Sequence, residues 1–223
     1  MNDAVNITYI ILFVLILTVW FVVKTRSVNR GMTYVRSDID GASYLVRNVS
    51  DKKRASNLLA SIKSDIMRVV THLDDKVNRP IKQNTDKTDK ADKIKTDTTK
   101  DYKSYIGQLM RNIRNVQIKE SDPDTSYTSY TINKGESIVF CIRSKTLSSY
   151  MGSGSIHDKN LVMYVALHEI SHVACPEYGH TKLFKEIFRF ITEAAMELGV
   201  YTKIDFNRTP TEYCGMTITD SIV

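Results

Sequence analysis

A chain of 223 residues has room for one modest domain and its attachments, and a formal charge of +6 leans basic without being extreme. No internal repeat is present, which excludes a repeat array. The three cysteines, Cys141, Cys175 and Cys214, cannot all pair within one chain and show no CxxC spacing, so they exclude a fully paired disulfide framework and point to a reduced compartment.

In chain order, the first feature is an uncharged apolar run from Ile7 to Val23, with Tyr9 and Trp20 near its ends. At 1.5 Å per residue such a run extends roughly 25 Å, the short end of what crosses a bilayer. Asp3 precedes it, and Lys24, Arg26 and Arg30 follow it. That flank suits an uncleaved anchor rather than a signal peptide. It places a short N-terminus outside and the rest in the cytosol, as a single-pass membrane protein. Residues 26–80 form a juxtamembrane region. Its first half is mixed, with Gly31 and Gly41 marking turns rather than regular elements. From Lys53 to Val77 the spacing of Leu58, Ile62, Ile66, Val69, Val70, Leu73 and Val77 predicts an amphipathic helix, with packing on the rest of the chain as the default use of its apolar face. His72 within it reads as a polar edge residue.

Pro80 stops that helix. Residues 81–100 are rich in Lys, Asp and Thr and nearly devoid of apolar side chains, which predicts a disordered linker. A nucleic-acid arm is the alternative, disfavoured because interleaved aspartates cancel charge and no aromatics are present to stack on bases. A second amphipathic helix is predicted from Tyr102 to Val116. After the break at Asp122-Pro123-Asp124, two strands are predicted, Tyr127 to Ile132 and Glu136 to Ile142, joined as an antiparallel hairpin by Asn133-Lys134-Gly135. The Ser- and Gly-rich stretch from Leu147 to Lys159 reads as a flexible loop, where His157 is either an exposed loop residue or a proton donor.

The chemistry-bearing stretch is Leu161 to Leu198. In His168-Glu169-Ile170-Ser171-His172 the two histidines stand four apart, so on a helix they share one face, as two imidazoles must to bind one tetrahedral zinc ion. Glu169 falls beside the metal rather than on it, where a carboxylate can act as general base toward a zinc-activated water. His180 is the candidate third ligand, since Pro176 ends the helix and Gly179 lets the chain turn back. Glu193 on the following helix is its rival. Cys175 reads as a small buried thiol rather than a ligand. Thr181 can cap that following helix, whose apolar positions run from Phe184 to Leu198 before Gly199 ends it. The tail from Tyr201 reads as irregular, and either Tyr201 or Tyr213 could stabilise an oxyanion.

The run from Val165 to His172 and the run Tyr178-Gly-His-Thr-Lys-Leu-Phe184 resemble the WLM and SprT-like zinc metallopeptidases, whose pattern is HExxH, a short loop, a third His and a Phe soon after. Val139-Phe-Cys-Ile-Arg143 and the tail from Tyr213 to Asp220 are most similar to membrane-anchored WLM-like proteins of large nucleocytoplasmic DNA viruses. The loop between His172 and His180 differs in length from the cellular pattern. The resemblance covers roughly Ser126 to Val223 and implies His168, His172 and His180 as zinc ligands and Glu169 as the catalytic glutamate. The implied fold is α+β, a minimal zincin-like domain over residues 101–223 behind an N-terminal transmembrane helix in a viral or host internal membrane. Its substrate would be protein or peptide, paired in extended form with a strand edge, for which Ser137 to Arg143 is the expected strand. Two alternatives belong to other classes: a structural membrane or virion protein that uses a protease fold as a scaffold, and a repair protease acting on protein crosslinked to DNA.

Overall fold

The computed structural model describes residues 11–20, 31–79, 90–145 and 154–223. It is a mixed α+β fold. Residues 11–20 form helix α1. Strands β1 (Met32–Arg36) and β2 (Ser43–Arg47) make an antiparallel hairpin, followed by helices α2 (Lys52–Asn78) and α3 (Lys90–Ile113). Strands β3 (Gln117–Glu120), β4 (Tyr130–Ile132) and β5 (Ser137–Phe140), helices α4 (Lys159–Ala174) and α5 (Lys182–Glu197), and the hairpin β6 (Thr211–Tyr213) and β7 (Met216–Ile218) complete the chain.

The sheet that matters for the site has the order β3-β5-β4. β5 runs parallel to β3, in register from Gln117↔Ser137 to Glu120↔Phe140, and antiparallel to β4, with Thr131 opposite Ile138. The predicted hairpin is therefore present, and a further strand closes its far side. This corrects the expected substrate strand. The Ser137–Phe140 part of that segment is the centre of the sheet, its backbone groups already paired on both sides, whereas β4 lies at an edge. Asn133, Lys134 and Gly135 all have positive φ, at 48°, 53° and 117°. Gly135 is also required by space. A Cβ there would stand 3.1 Å from Val173 Cγ1 and 3.2 Å from the Asn112 carbonyl oxygen, so the turn is pressed against the ends of α4 and α3.

One core joins the elements that follow α1. The apolar stripe of α2 (Leu59, Ile62, Ile66, Val69, Val70, Leu73) is fully buried in the same cluster as Ile106 and Leu109 of α3, α4 along its whole length, and Phe184, Ile187 and Ile191 of α5. A buried ionic group ties the sheet to the N-terminal elements. Fully buried Arg143 pairs with Glu120 of β3 at 2.6 Å and with Asp51, just before α2, at 2.7 Å, and the Glu120 carboxylate also accepts from the Arg47 backbone N–H at 2.8 Å.

Four expectations change. The membrane anchor is corrected, and of the apolar run residues 11–20 are described and helical. Among the described residues no helix is long and apolar enough to cross a membrane, so the single-pass topology with a cytosolic domain is overturned. The ends of the run, Ile7 to Ile10 and Phe21 to Val23, lie outside the described residues. The reduced-thiol reading gives way to a Cys141–Cys214 disulfide with 6.2 Å between Cα atoms, because the end of β5 meets the β6–β7 turn; Cys175 is free and buried. Of the expected linker, residues 81–89 lie outside the described residues, and the chain is helical from Lys90. The β1–β2 and β6–β7 hairpins stand where irregular chain was expected.

Candidate metal centre and active site

Helix α4 begins at Asp158, whose carboxylate accepts from the Asn160 backbone N–H at 2.8 Å, and it ends at Cys175, extended because Pro176 follows. Gly179, at φ 79°, turns the loop back. Thr181 then caps α5, its hydroxyl accepting from the Phe184 backbone N–H at 3.3 Å. Two helix ends and one left-handed glycine thus bring His180 to the face that carries His168 and His172. The Nε2 atoms of His172 and His180 lie 3.1 and 3.0 Å from His168 Nε2. Among the described residues these three histidines form the group whose ligand atoms all fall within 4.8 Å of one another.

That spacing tests the fit to a metal. Two nitrogens on a tetrahedral zinc ion, each about 2.0–2.1 Å from it, stand about 3.4 Å apart, close to what is found. Imidazole–imidazole hydrogen bonds cannot satisfy the trio, because His168 Nε2 faces two neighbours and can serve as donor or acceptor only once. Burial, reinforced by the neighbouring imidazoles, pushes the His168 pKa down to about 3, and burial with the His180 and Lys134 charges pushes that of His172 to about 4. Both imidazoles are thereby held neutral at ordinary pH. Phe184 stacks on His172 at 4.2 Å and meets His168 edge-on at 4.9 Å, giving the imidazoles a fixed apolar floor.

Glu169 is 4% exposed and lies beside this group, its carboxylate accepting from Thr131 Oγ1 of β4 at 2.8 Å. Burial pushes its pKa up to about 7, against the pull of the Thr131 hydrogen bond. From the turn after β4, the Lys134 ammonium donates to the carbonyls of His172, Cys175 and Glu177, at 3.1, 2.7 and 3.0 Å. It caps the C-terminus of the helix that carries two of the histidines and pins the start of the loop to the third. The left-handed backbone of Lys134, costly for a residue with a Cβ, is maintained by those three contacts.

These groups face one cavity of about 580 Å³. Its walls are the histidine face of α4 with Tyr164 and Val165, the segment Thr128–Thr131 leading into β4, the Glu177–His180 loop, and Tyr213 and Met216 of the last hairpin. Tyr178 and Met216 stand exposed at its rim. The other candidates fall elsewhere. Glu193 is exposed on α5 and outside the histidine group. His157 is half-buried, its ring 5.1 Å from that of Tyr213 and outside the cavity lining. The Tyr201 hydroxyl accepts from the Ile204 backbone N–H, away from the cavity, and His72 meets Glu197 at 3.3 Å. Most of the Leu147–Lys159 loop lies outside the described residues. Thr131, Lys134 and Ser129 were missed, since a Thr, a turn Lys and a Ser carry no signal until the fold sets them beside α4.

No family model matches the sequence. Protein R325 of Acanthamoeba polyphaga mimivirus is 36% identical over 223 residues, the whole of both chains. The chain belongs to the same family as R325. Over 73 residues, a third of this chain, it is also 42% identical to protein 136R of Invertebrate iridescent virus 6 and 38% identical to protein 042R of Invertebrate iridescent virus 3, covering 38% and 42% of those proteins. Among solved structures, Wss1 from Saccharomyces cerevisiae matches 51% of this chain and 86% of its own at 15% identity and a TM-score of 0.33, too slight a likeness to carry an argument.

Proposed function

We propose that this protein is a zinc-dependent metallopeptidase. The observation that carries the reading is the convergence of His168, His172 and His180 beside a buried carboxylate, Glu169, in a cavity flanked by β4, an edge strand among the described residues. His168, His172 and His180 would hold the metal, and zinc when bound supplies Lewis acidity at the cleft. Everything else falls to the chain's own residues. An extended peptide adds to the edge of β4 through main-chain hydrogen bonds, which brings its scissile carbonyl over the histidine face. Glu169 accepts a proton from the attacking water and delivers it to the leaving amine nitrogen. A carboxyl whose pKa is raised toward 7 by burial is suited to both halves of that transfer at neutral pH. Thr131 keeps its carboxylate aimed into the cleft, and Phe184 keeps the imidazoles in place.

The deciding experiment measures zinc content and cleavage of unfolded casein by the full chain and by its Glu169→Gln variant. The expected result is about one zinc per chain in both, with turnover falling by about 10²–10⁴-fold in the variant. Zinc bound in both without cleavage by either would leave a scaffold role for the fold.

A further inference from the structure

Tyr213 sits in the same cavity as Glu169, at the end of β6, and the peptidase reading leaves it without a role. Its ring is buried, and its hydroxyl lies 2.6 Å from Ser129 Oγ. Ser129 Oγ in turn accepts from the Cys141 backbone N–H at 3.1 Å. A serine hydroxyl has one hydrogen to give and two lone pairs to receive. With Cys141 on one lone pair, Ser129 is free to donate its hydrogen to the phenolic oxygen, which leaves the Tyr213 O–H to point away from Ser129 and into the cavity. Two other features fix that arrangement. The Cys141–Cys214 disulfide joins the residue that holds Ser129 to the chain neighbour of Tyr213. Ser129, just before β4, and Thr131 within it both reach the cavity, one on the Tyr213 hydroxyl, the other on the Glu169 carboxylate.

We propose that Tyr213 is a catalytic residue, donating its phenolic hydrogen bond to the scissile carbonyl oxygen as that oxygen becomes negative, and that Ser129 is its positioning residue. The inference rests on the peptidase reading. As water adds, a bond forms from its oxygen to the carbonyl carbon, the π pair moves onto the carbonyl oxygen facing Tyr213, and Glu169 takes the water proton. When the C–N bond breaks, the pair returns to rebuild the carbonyl and the proton on Glu169 goes to the nitrogen. Tyr213 keeps its own proton throughout, which burial favours by raising the phenol's pKa. A donor that meets charge only in the transition state accelerates the reaction without tightening substrate binding.

The test uses the full chain, its Tyr213→Phe and Ser129→Ala variants, casein cleavage, zinc content, and a phosphinic peptide built on the mapped casein cleavage sequence as a mimic of the tetrahedral species. In Tyr213→Phe, kcat falls about 10²-fold with KM nearly unchanged, zinc content stays at the wild-type level, and phosphinic-peptide affinity drops by a similar factor while affinity for the cleaved product peptide does not. Ser129→Ala shows the same pattern at about tenfold, as loss of one orienting hydrogen bond requires. A wild type that cleaves alongside a Tyr213→Phe variant of equal kcat, or one that loses rate only together with its zinc, overturns the assignment and leaves the peptidase reading intact. A wild type that cleaves nothing overturns both.

Discussion

The two walls of the cleft are built on different length scales. The helix wall takes His168, Glu169, His172 and His180 from thirteen consecutive residues, held by one helix, a pre-proline stop and a left-handed Gly179. The facing wall takes Ser129, Thr131 and Lys134 from the β4 hairpin and Tyr213 from a hairpin some eighty residues on, joined through Ser129 and the Cys141–Cys214 disulfide. The helix wall carries the donor atoms for a metal, whereas the strand wall supplies hydrogen-bond donors that orient them. On the proposed reading, local spacing encodes the metal ligands, and tertiary packing encodes how a bound metal would be used.

The largest separation between the walls should come from His172→Ala. Losing one of three ligands removes roughly a third of a metal-binding free energy of order 10 kcal/mol, so zinc affinity should fall on the order of 10²–10³-fold, with turnover lost in parallel. Zinc titration against a competing chelator measures it. An undiminished affinity would remove His172 from the metal site.

Lys134→Met tests the strand wall's hold on the helix wall. Three carbonyls at the end of α4 and in the loop to His180 lose their shared donor. Zinc affinity should weaken by about 10–100-fold, the usual range for a group that orients ligands, while the zinc-saturated variant turns over at close to the wild-type rate. Equal losses in both would place Lys134 at the chemistry instead.

Thr131→Val is smaller and more specific. Its hydroxyl donates to the ionised Glu169 carboxylate and so lowers a pKa that burial raises. Without it Glu169 protonates more readily, the ionised fraction at a given pH falls, and the acid limb of kcat/KM moves to higher pH. The rate at neutral pH should drop about fivefold, the equivalent of about 1 kcal/mol.

Asp51→Asn is the control, outside both walls. The Arg143 guanidinium beside Asp51 holds its carboxyl below the usual range. The folded state then binds that proton less readily than the unfolded state, so the stabilisation is complete above the ordinary carboxylate pKa and is lost as pH falls through the lowered one. The variant should lose about 1 kcal/mol at neutral pH, converge with the wild type in acid, and keep its zinc affinity. Asp51 makes no side-chain cap to α2, so the change reports chiefly the pair with Arg143. Denaturant melts across pH 2–7 measure it.

The α2 helix, the β4–β5 hairpin, the α4 and α5 helices and the three-histidine group were all legible in the sequence, because each is written in apolar periodicity, a turn glycine or a cap within a few residues. The sequence misled where the outcome depends on distant chain. β5 looked like an edge strand because nothing in Gln117–Glu120 announces that it will pair alongside. Cys141 and Cys214 looked unpaired because 73 residues separate them. An apolar run looked like a membrane span, yet among the described residues no helix is long and apolar enough to cross a membrane.

What the sequence by itself determined is the pair of histidines on one helix face and the candidates for a third group beside them. Histidines four apart on an apolar helix and a glutamate between them follow from helical geometry, and a proline and a glycine a few residues on make His180 a candidate partner with no help from distant chain. Only the tertiary structure decided which strand lies at the edge of the described sheet, which of Tyr201 and Tyr213 faces the cavity, and that Thr131, Ser129 and Lys134 line it. Those outcomes depend on sheet order and on contacts across forty to eighty residues, where a side chain's role comes from the surface it meets rather than from its neighbours in sequence.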